Sequence, residues 1–394
     1  MMLTVVQAGV TLLLTFCFVY LVIPVLIKIT YEKALYDVPD GHRKIHRDYI
    51  SHLGGVALFI GIFIGFALSG FADSLSGVSY LFAGLLMLFF TGLKDDLIGL
   101  SPYKKLGMEL FSALIIIFGT GSIINNFYGV FGLTSIPYIF ALPLTIFSVI
   151  VIVNSYNLID GIDGLSGGIG LIASVFFAVG FFGAGNIPMG VLSLTTAAAL
   201  TAFLMHNFNP ASIFMGDNGT LLVGFLLAYM TIQFVGLNGS ASILNSTFTN
   251  AAAVLPVAFL AVPLYDTFTV FLKRILRGSS PFSADRDHVH HRLLRMGFTV
   301  RQSAVFLYLV TIAISLSAVA MSGFNNTIVL LTIITLMVVL LPTNGFKRRI
   351  LRATGIFNAE VYRLKSIRRR QHEETDENKR WEIPVEMKEM EELV

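Results

Sequence analysis

The sequence predicts an all-α, polytopic helical membrane protein, and three observations carry that reading. Only 13% of its 394 residues are charged while 55% are apolar, and the mean hydropathy is +0.78. An ordinary soluble domain, with about a quarter of its residues charged, is excluded. The apolar residues fall in continuous runs, most of them near the roughly 17–25 residues that a helix needs to cross ~30 Å of hydrocarbon. A closed β-barrel would instead show weakly alternating segments of about ten residues. Third, the 27 Lys and Arg residues all fall on one side of the topology that the runs imply, at alternate run ends and connections and in the tail, the asymmetry that orients helices across a bilayer.

Eleven runs qualify, at residues 3–28, 53–72, 78–93, 106–124, 137–153, 165–183, 188–206, 218–236, 251–272, 303–322 and 326–342. The first has no basic residue before it and no small-residue cleavage site after it, so it is expected to be a retained helix and not a removed signal peptide. Cys17, the single cysteine, lies within it and excludes an internal disulfide.

Orientation follows from the connections. Residues 29–52 hold Lys33, Arg43, Lys44 and Arg47; residues 94–105 hold Lys94, Lys104 and Lys105; residues 273–302 hold seven Lys and Arg; and the tail after Pro342 is basic through Arg368-Arg369-Arg370. By the positive-inside rule these are cytoplasmic. The connections near 73–77, 125–136, 184–187, 237–250 and 323–325 carry no Lys or Arg and one acid, Asp73. An odd number of spans then puts the N-terminus outside and the C-terminus in the cytoplasm. Two regions are expected: a transmembrane domain over 1–342 with its reactive loops on the cytoplasmic face, and a cytoplasmic tail over 343–394. Basic residues beside a membrane bind anionic lipid; the acidic stretch from Glu373 to Glu392 reads as solvated chain.

Four cytoplasmic connections carry candidate chemistry. Between the third and fourth runs stands Lys94-Asp95-Asp96, followed by a Ser101-Pro102 turn and then Lys104 and Lys105. Two adjacent carboxylates beside an apolar helix end are unfavourable unless a cation or a proton resolves them. Alone, the pair reads equally well as helix caps or solvated interface residues.

The most specific string lies between the fifth and sixth runs, Asn154-Ser155-Tyr156-Asn157-Leu158-Ile159-Asp160-Gly161-Ile162-Asp163-Gly164-Leu165-Ser166-Gly167-Gly168. Asn154, Asn157, Asp160 and Asp163 recur every three residues, so a helical continuation of the fifth run predicts one polar ridge, with glycines that let backbone approach a ligand. A plain glycine-rich turn has no need of four amides and acids in register.

Between the seventh and eighth runs, Phe214-Met215-Gly216-Asp217 precedes Asn218-Gly219-Thr220. Asp217 falls where a helix begins, and N-capping is its default duty. The Phe214 ring offers a face to a flat heterocycle, although an aromatic at a membrane interface also serves as an anchor.

Between the ninth and tenth runs come Asp285-Arg286-Asp287-His288-Val289-His290-His291-Arg292, then Arg295. Such a loop suits either a transition metal or phosphate. The arginines favour phosphate, because guanidinium groups repel a bound cation and pair with oxyanions. A loop that is merely positive-inside explains the arginines and not the histidines.

Together these groups suit hard Mg²⁺, which takes oxygen ligands and bridges substrate phosphates, and the whole face resembles a metal-assisted phosphoryl-transfer site. Its position at the ends of membrane helices predicts that one substrate is a lipid.

In order and spacing, Lys94-Asp95-Asp96, Asn154-x-x-Asn157-x-x-Asp160-Gly-x-Asp163-Gly-Leu165, Phe214-Met215-Gly216-Asp217 and His288-Val-His290-His291-Arg292 resemble the signature of the polyprenyl-phosphate N-acetylhexosamine-1-phosphate transferase superfamily. The resemblance spans roughly residues 1–342. The His-x-His-His form is similar to the undecaprenyl-phosphate GlcNAc-1-phosphate transferase branch, which initiates teichoic acid or O-antigen. The branch that transfers phospho-MurNAc-pentapeptide usually carries an uninterrupted histidine triplet.

The resemblance implies a bacterial plasma-membrane enzyme that uses Mg²⁺, or alternatively Mn²⁺, to transfer GlcNAc-1-phosphate from UDP-GlcNAc to undecaprenyl phosphate. It implies the lipid bilayer as surroundings, no nucleic acid, and a homodimer as an allowed assembly. Asn157 and Asp217 match metal-holding positions; Asp163 and Phe214 match those that hydrogen-bond and stack the uracil, with Asn154 beside them on the nucleotide side. Asp95 and Asp96 match a pair that deprotonates or positions the lipid phosphate, or that binds metal, and Asp160 matches a catalytic-site residue. Lys105, with Lys104 as the adjacent alternative, matches a phosphate-binding lysine. Arg286, His288, His290, His291 and Arg292 match the loop that grips the diphosphate and sugar. In the first cytoplasmic loop, Asp37-x-Pro39, Arg43-Lys44-x-His46 and Gly54-Gly55 match the family, while Ser51-His52 stands where Pro-Arg is common.

A second reading, an ion-coupled transporter, shares the many spans and buried acids. Carriers place coupling acids near the bilayer midplane, often within inverted repeats. Here the acids cluster at cytoplasmic helix ends; Glu109 lies about one turn inside the fourth run and Asp266 near the inner end of the ninth.

Overall fold

Hydrocarbon solvent forces the backbone to satisfy itself, and the computed structural model accordingly answers each apolar run with helix. It describes residues 2–33, 50–237, 248–278 and 287–342. The motif residues between 34 and 49, the residue Arg286 and the tail 343–394 lie outside the described residues. Thirteen α-helices occur among the described residues: α1 (Met2–Lys33), α2 (Gly54–Ala67), α3 (Val78–Ile98), α4 (Pro102–Thr120), α5 (Tyr138–Leu158), α6 (Leu165–Gly183), α7 (Ile187–Asn207), α8 (Gly216–Val235), α9 (Leu255–Phe259), α10 (Ala261–Leu276), α11 (Val289–Arg295), α12 (Val300–Ala320) and α13 (Asn326–Leu340).

Six of these, α1, α5, α6, α7, α8 and α12, are long and apolar enough to cross a membrane, which makes the chain a polytopic helical membrane protein. At 14 and 15 residues, α2 and α13 are apolar but short, since a 14-residue helix spans only about 21 Å. The ninth run is not one helix. It breaks at Leu260 into α9 and α10, where Pro263 has no N–H to offer the Phe259 carbonyl four residues earlier.

Several helices run past the apolar stretches that define them, and at two of them this moves motif residues. The α3 helix continues to Ile98, so Lys94, Asp95 and Asp96 sit on its last turns and not in a loop. Likewise α5 continues to Leu158, which keeps Asn154 and Asn157 helical. There the helix stops: Gly164, at φ +77°, opens α6, so Asp160 and Asp163 lie in a turn. The expected single ridge of four polar residues is therefore two helical amides followed by two acids on a loop. The helix α4 begins at Pro102, four residues ahead of the expected run and directly after Ser101, with Pro at its first position, where its missing N–H is harmless.

An all-α chain was expected, yet residues 126–135 form a two-stranded antiparallel hairpin, β1 (Asn126–Val130) and β2 (Leu133–Ser135). Its backbone turns through left-handed residues at Tyr128, Gly129, Phe131 and Gly132. It closes the end of the bundle away from the motifs: Tyr128 Oη donates to the Val235 and Leu237 carbonyls at 2.7 and 2.9 Å, and Asn326 Nδ2 donates to Tyr128 O at 2.7 Å.

The centre of the bundle is α8, buried on nearly every side and packed on α2, α3, α5 and α6. A helix that is apolar all round belongs in such a core. Around its C-terminal half, the rings of Phe177, Phe181, Phe234 and Phe259 pack edge to face. Its N-terminus is approached by backbone. A Cβ on Gly92 of α3 would lie 2.4 Å from Asn218 N and from Asp217 O, and one on Gly55 of α2 would lie 2.2 Å from Gly219 N.

Candidate active site

The N-terminus of α8 is the origin of the site. Its first N–H groups have no partner within the helix and carry partial positive charge. Asp96, on the last turn of α3, supplies the acceptors: Oδ1 takes Asp217 N at 2.8 Å, and Oδ2 takes Asn218 N at 2.9 Å and Asn218 Nδ2 at 2.5 Å. Burial pushes the Asp96 carboxyl up to about 6, against the pull of those N–H donors. Asp217 does not cap its own helix; its side chain turns into the site while Asp96 does the capping.

Lys105, on the first turn of α4, lies between two carboxylates. Its Nζ donates to Asp217 Oδ2 at 2.7 Å and to Asp95 Oδ2 at 3.2 Å. Burial acts to lower its pKa, but the Asp217 and Asp95 charges outweigh it and hold the ammonium above its ordinary value. Asp95 is shifted up, first by burial and then by its neighbour Asp217. Of the two candidate lysines, Lys104 is exposed and Lys105 faces the site.

From α5, Asn157 Nδ2 donates to Asp217 Oδ1 and to Thr220 Oγ1, each at 2.6 Å. One turn earlier, Asn154 Nδ2 donates to Glu109 Oε2, inside the bundle, and to Ile150 O at 2.9 Å. Asn154 therefore backs the site from beneath.

The loop after α5 carries the two remaining acids. Asp160 Oδ1 accepts from Ser166 Oγ at 2.6 Å; burial pushes this carboxyl up to about 7, with Asp217, Asp96 and Asp163 adding to the shift. Asp163 is buried, and its Oδ2 accepts from Asn209 Nδ2 at 2.8 Å and Ala211 N at 3.1 Å. Those donors belong to the segment leading to Phe214, so the two residues expected at the uracil lie on tied loops. Asn207 strengthens the tie, accepting from Gly164 N at 2.9 Å and donating to Ile213 O at 2.8 Å.

Phe214 is held by backbone pairing with the segment before α2: Phe214 N donates to Ser51 O at 2.8 Å and Gly54 N to Phe214 O at 3.0 Å. The His52 ring lies 5.2 Å from the Phe214 ring, and its carbonyl accepts from Asn218 Nδ2 at 2.8 Å. Ser51 and His52 act through side chains as well: Ser51 Oγ pairs with Thr30 Oγ1 at 2.9 Å and accepts from Leu53 N at 3.2 Å.

The histidine loop packs on the turn after α5. A Cβ on Gly161 would lie 2.2 Å from His290 Nε2. His290 is buried, and burial with His291 and His288 nearby holds its pKa well below the ordinary value, so it is neutral. Its ring lies parallel to His288 at 5.8 Å and tilted to His291 at 4.3 Å. Arg292 Nε donates to Asp287 O at 2.8 Å, and Asp287 is ringed by Lys273 at 2.5 Å and Arg295 at 2.9 Å. Those cations hold the Asp287 carboxyl below the usual range against its burial. Behind the loop, His288 Nδ1 lies 2.8 Å from Asp266 Oδ2, and Val289 N donates to Asp266 Oδ1 at 2.7 Å.

All four strings therefore meet at one end of the bundle, and every described member of the candidate set has a place there, with Asn154 set beneath. Four participants carry no motif signal of their own. Asn218, Thr220 and Asn207 are small polar residues with partners 43 to 122 positions away, and Ser166 meets Asp160 six positions before it. Glu109 and Asp266 did have a signal, being acids in apolar runs. Asp217 and Asp95 offer carboxylate oxygens of the kind Mg²⁺ takes, and the Lys105 ammonium stands between them where a cation is stabilised. Among the described residues no three His, Cys, Asp or Glu side chains form a metal cage by themselves.

The chain is similar in sequence to known proteins. The sequence profile described as glycosyl transferase family 4 matches residues 78–235, the stretch from α3 to α8. A probable undecaprenyl-phosphate N-acetylglucosaminyl 1-phosphate transferase of Bacillus subtilis is 30% identical over 365 residues, covering 91% of this chain and 94% of its own. The decaprenyl-phosphate N-acetylglucosaminephosphotransferase of Mycobacterium tuberculosis is 32% identical over 303 residues, 72% and 75% of the two chains. The undecaprenyl-phosphate alpha-N-acetylglucosaminyl 1-phosphate transferase of Escherichia coli is 29% identical over 308 residues, 74% and 77%.

Proposed function

The chain belongs to the polyprenyl-phosphate N-acetylhexosamine-1-phosphate transferases, in its undecaprenyl-phosphate GlcNAc-1-phosphate branch, and from that premise we propose that it transfers GlcNAc-1-phosphate from UDP-GlcNAc to undecaprenyl phosphate, releasing UMP. The observation that carries the reading is Lys105 held between Asp95 and Asp217 at the N-terminus of α8, an arrangement of fixed charge suited to phosphate oxygens.

In the reaction, an oxygen of the lipid phosphate forms a bond to the β-phosphorus of UDP-GlcNAc. The bond from that phosphorus to the bridging oxygen breaks, and the electron pair leaves with UMP. One phosphoanhydride replaces another, so the reaction is reversible. Lys105 offsets phosphate charge as the two anions approach. Asp95, the member of the acid pair that touches Lys105, is placed to orient the lipid phosphate, whereas Asp96 is occupied in fixing the α8 N-terminus. Phe214 and Asp163 take the uracil, and the loop from Arg286 to Arg292 takes the diphosphate and sugar. Asn157 and Asp217 would hold Mg²⁺, which would neutralise charge on the diphosphate.

The site faces the cytoplasm of a bacterial plasma membrane in this reading, with eleven crossings and the N-terminus outside. The product starts a cell-surface glycopolymer of the teichoic acid or O-antigen kind. Purified protein supplied with undecaprenyl phosphate, Mg²⁺ and a panel of UDP-sugars should release UMP fastest with UDP-GlcNAc. Preference for UDP-MurNAc-pentapeptide or another UDP-sugar would redirect the donor assignment. No UMP release from any donor, with substrate flux into liposomes instead, would restore the carrier reading.

A further inference from the structure

Asp266 is almost fully buried in α10, 1% exposed, in an otherwise apolar stretch. Burying a carboxylate there is unfavourable unless specific donors meet it, and two consecutive residues of the histidine loop do so. Val289 N–H donates to Oδ1 at 2.7 Å and the His288 ring meets Oδ2 through Nδ1 at 2.8 Å. One carboxylate therefore docks the loop backbone and fixes an imidazole at once.

We propose that Asp266 is a positioning residue for sugar-phosphate transfer: it holds the proton of His288 on Nδ1 and so dedicates Nε2 to the substrate. The physical reason is that an ionised carboxylate only accepts hydrogen bonds, so the nitrogen facing it must be the donor, and the other nitrogen is left with the complementary role. His290 does not share that role, because its Nε2 edge packs on Gly161. The same arrangement, a buried acid orienting a histidine, governs many metal and nucleophile sites. The proposal rests on the histidine loop meeting the sugar nucleotide, as proposed above.

A merely structural role for Asp266 makes a different prediction when asparagine replaces it. In Asp266→Asn the side-chain oxygen still accepts from Val289 N–H, so the loop stays docked. The new amide donates to His288 Nδ1 and drives the ring proton to Nε2. Two measurements follow. In ¹⁵N-histidine-labelled protein in detergent, with the His288 signal assigned by its loss in His288→Ala, the neutral ring should carry its proton on Nδ1 in the unsubstituted protein and on Nε2 in Asp266→Asn. In steady-state assays with UDP-GlcNAc and undecaprenyl phosphate, Asp266→Asn should lower kcat/KM for the sugar nucleotide by about 10–100-fold, the range found when the partner of an oriented histidine is lost. KM for the lipid phosphate should not move. In the His288→Ala background the same substitution should add nothing, since residues acting as one unit are not additive.

A proton on Nε2 in the unsubstituted protein would overturn the proposal, and so would an equal loss from Asp266→Asn in both backgrounds. The tautomer of the unsubstituted protein is informative even if Asp266→Asn melts early. Should the protein transfer sugar phosphate from no UDP-sugar, the functional reading fails while the ring measurement still decides the role of Asp266.

Discussion

Lys105 Nζ lies 2.7 Å from Asp217 Oδ2 although 112 residues separate them, and the same ammonium reaches Asp95 at 3.2 Å. One cation thereby joins α3, α4 and α8 at the point where phosphates are proposed to meet. Removing it leaves two partly buried carboxylates without compensation and removes a donor aimed at developing charge. Lys105→Met should lower transfer of labelled GlcNAc-phosphate to lipid by ~10²–10³-fold, the usual effect of losing one such donor. Turnover within a few-fold of normal would take Lys105 out of the site.

Asp96 accepts three N–H groups from Asp217 and Asn218. Asparagine at 96 would turn an N–H₂ toward one of those donors and leave an N–H without an acceptor. Asp96→Asn should therefore reduce stability by about 1–3 kcal/mol and abolish transfer, read by thermal melting and product formation on the same preparation. An unchanged melting temperature would assign Asp96 a chemical role and not a framing one.

Gly92 lets α3 approach α8 so closely that a Cβ would lie 2.4 Å from main-chain atoms of residues 217 and 218. Gly92→Ala must push the helices apart, an overpacking cost of about 1–3 kcal/mol, and it displaces Asp96 from the N–H groups it caps. Activity should fall although residue 92 touches no substrate. A fully active Gly92→Ala protein would show that the close approach is dispensable.

Asp160 provides a pH test. Burial raises its folded-state value to about 7 from 3.8, so the folded chain holds this proton more tightly than the unfolded chain. Stability is thus greatest below the unfolded value and declines as pH rises from about 4 to 7. At ~1.4 kcal/mol per unit the ceiling is about 4 kcal/mol. Asp160→Asn keeps an acceptor for Ser166 Oγ and removes the charge, so it should melt higher than the unsubstituted protein at pH 8 with little difference at pH 4, while losing transfer. A melting difference independent of pH would contradict the assignment.

Chelation tests the metal. EDTA should stop transfer and Mg²⁺ restore it, and Asn157→Ala should raise the Mg²⁺ concentration needed for half-maximal rate by about 10–100-fold. Full activity in EDTA would exclude the metal outright.

Orientation is open to labelling, because Cys17 is the only cysteine. With Cys17 replaced by Ser, Phe131→Cys on the hairpin should react with an impermeant maleimide from outside the cell, and Tyr103→Cys at the start of α4 only after permeabilisation. Both native side chains are well exposed, at 65% and 85%. The reverse pattern would invert the topology.

Several features were legible in the chain because they depend on local order. The apolar runs gave helices at the expected places, and adjacent motif residues such as Asp95-Asp96 and Phe214-Met215-Gly216-Asp217 were visible as strings. Element ends were less legible: α3 and α5 extend one turn or more beyond their apolar stretches, since a helix continues as long as its polar residues find partners, and Asp96 and Asn157 find theirs on α8. The break at Leu260 was written in Pro263, but a continuous apolar run concealed it. The hairpin at 126–135 had only its glycines to announce it.

The sequence by itself determined the class of the protein and the family of its chemistry. A bilayer leaves the backbone few solutions, and phosphate, Mg²⁺ and uracil each call for recognisable side chains. Only the tertiary structure decided the division of labour among those side chains. It made Asp96 the cap of α8 and freed Asp217, brought Lys105 and not Lys104 to Asp217, and set Asp266 behind His288. Such choices depend on distances of about 3 Å between residues 22 to 121 positions apart, and electrostatic and hydrogen-bond energies change over that length far more steeply than any sequence pattern records.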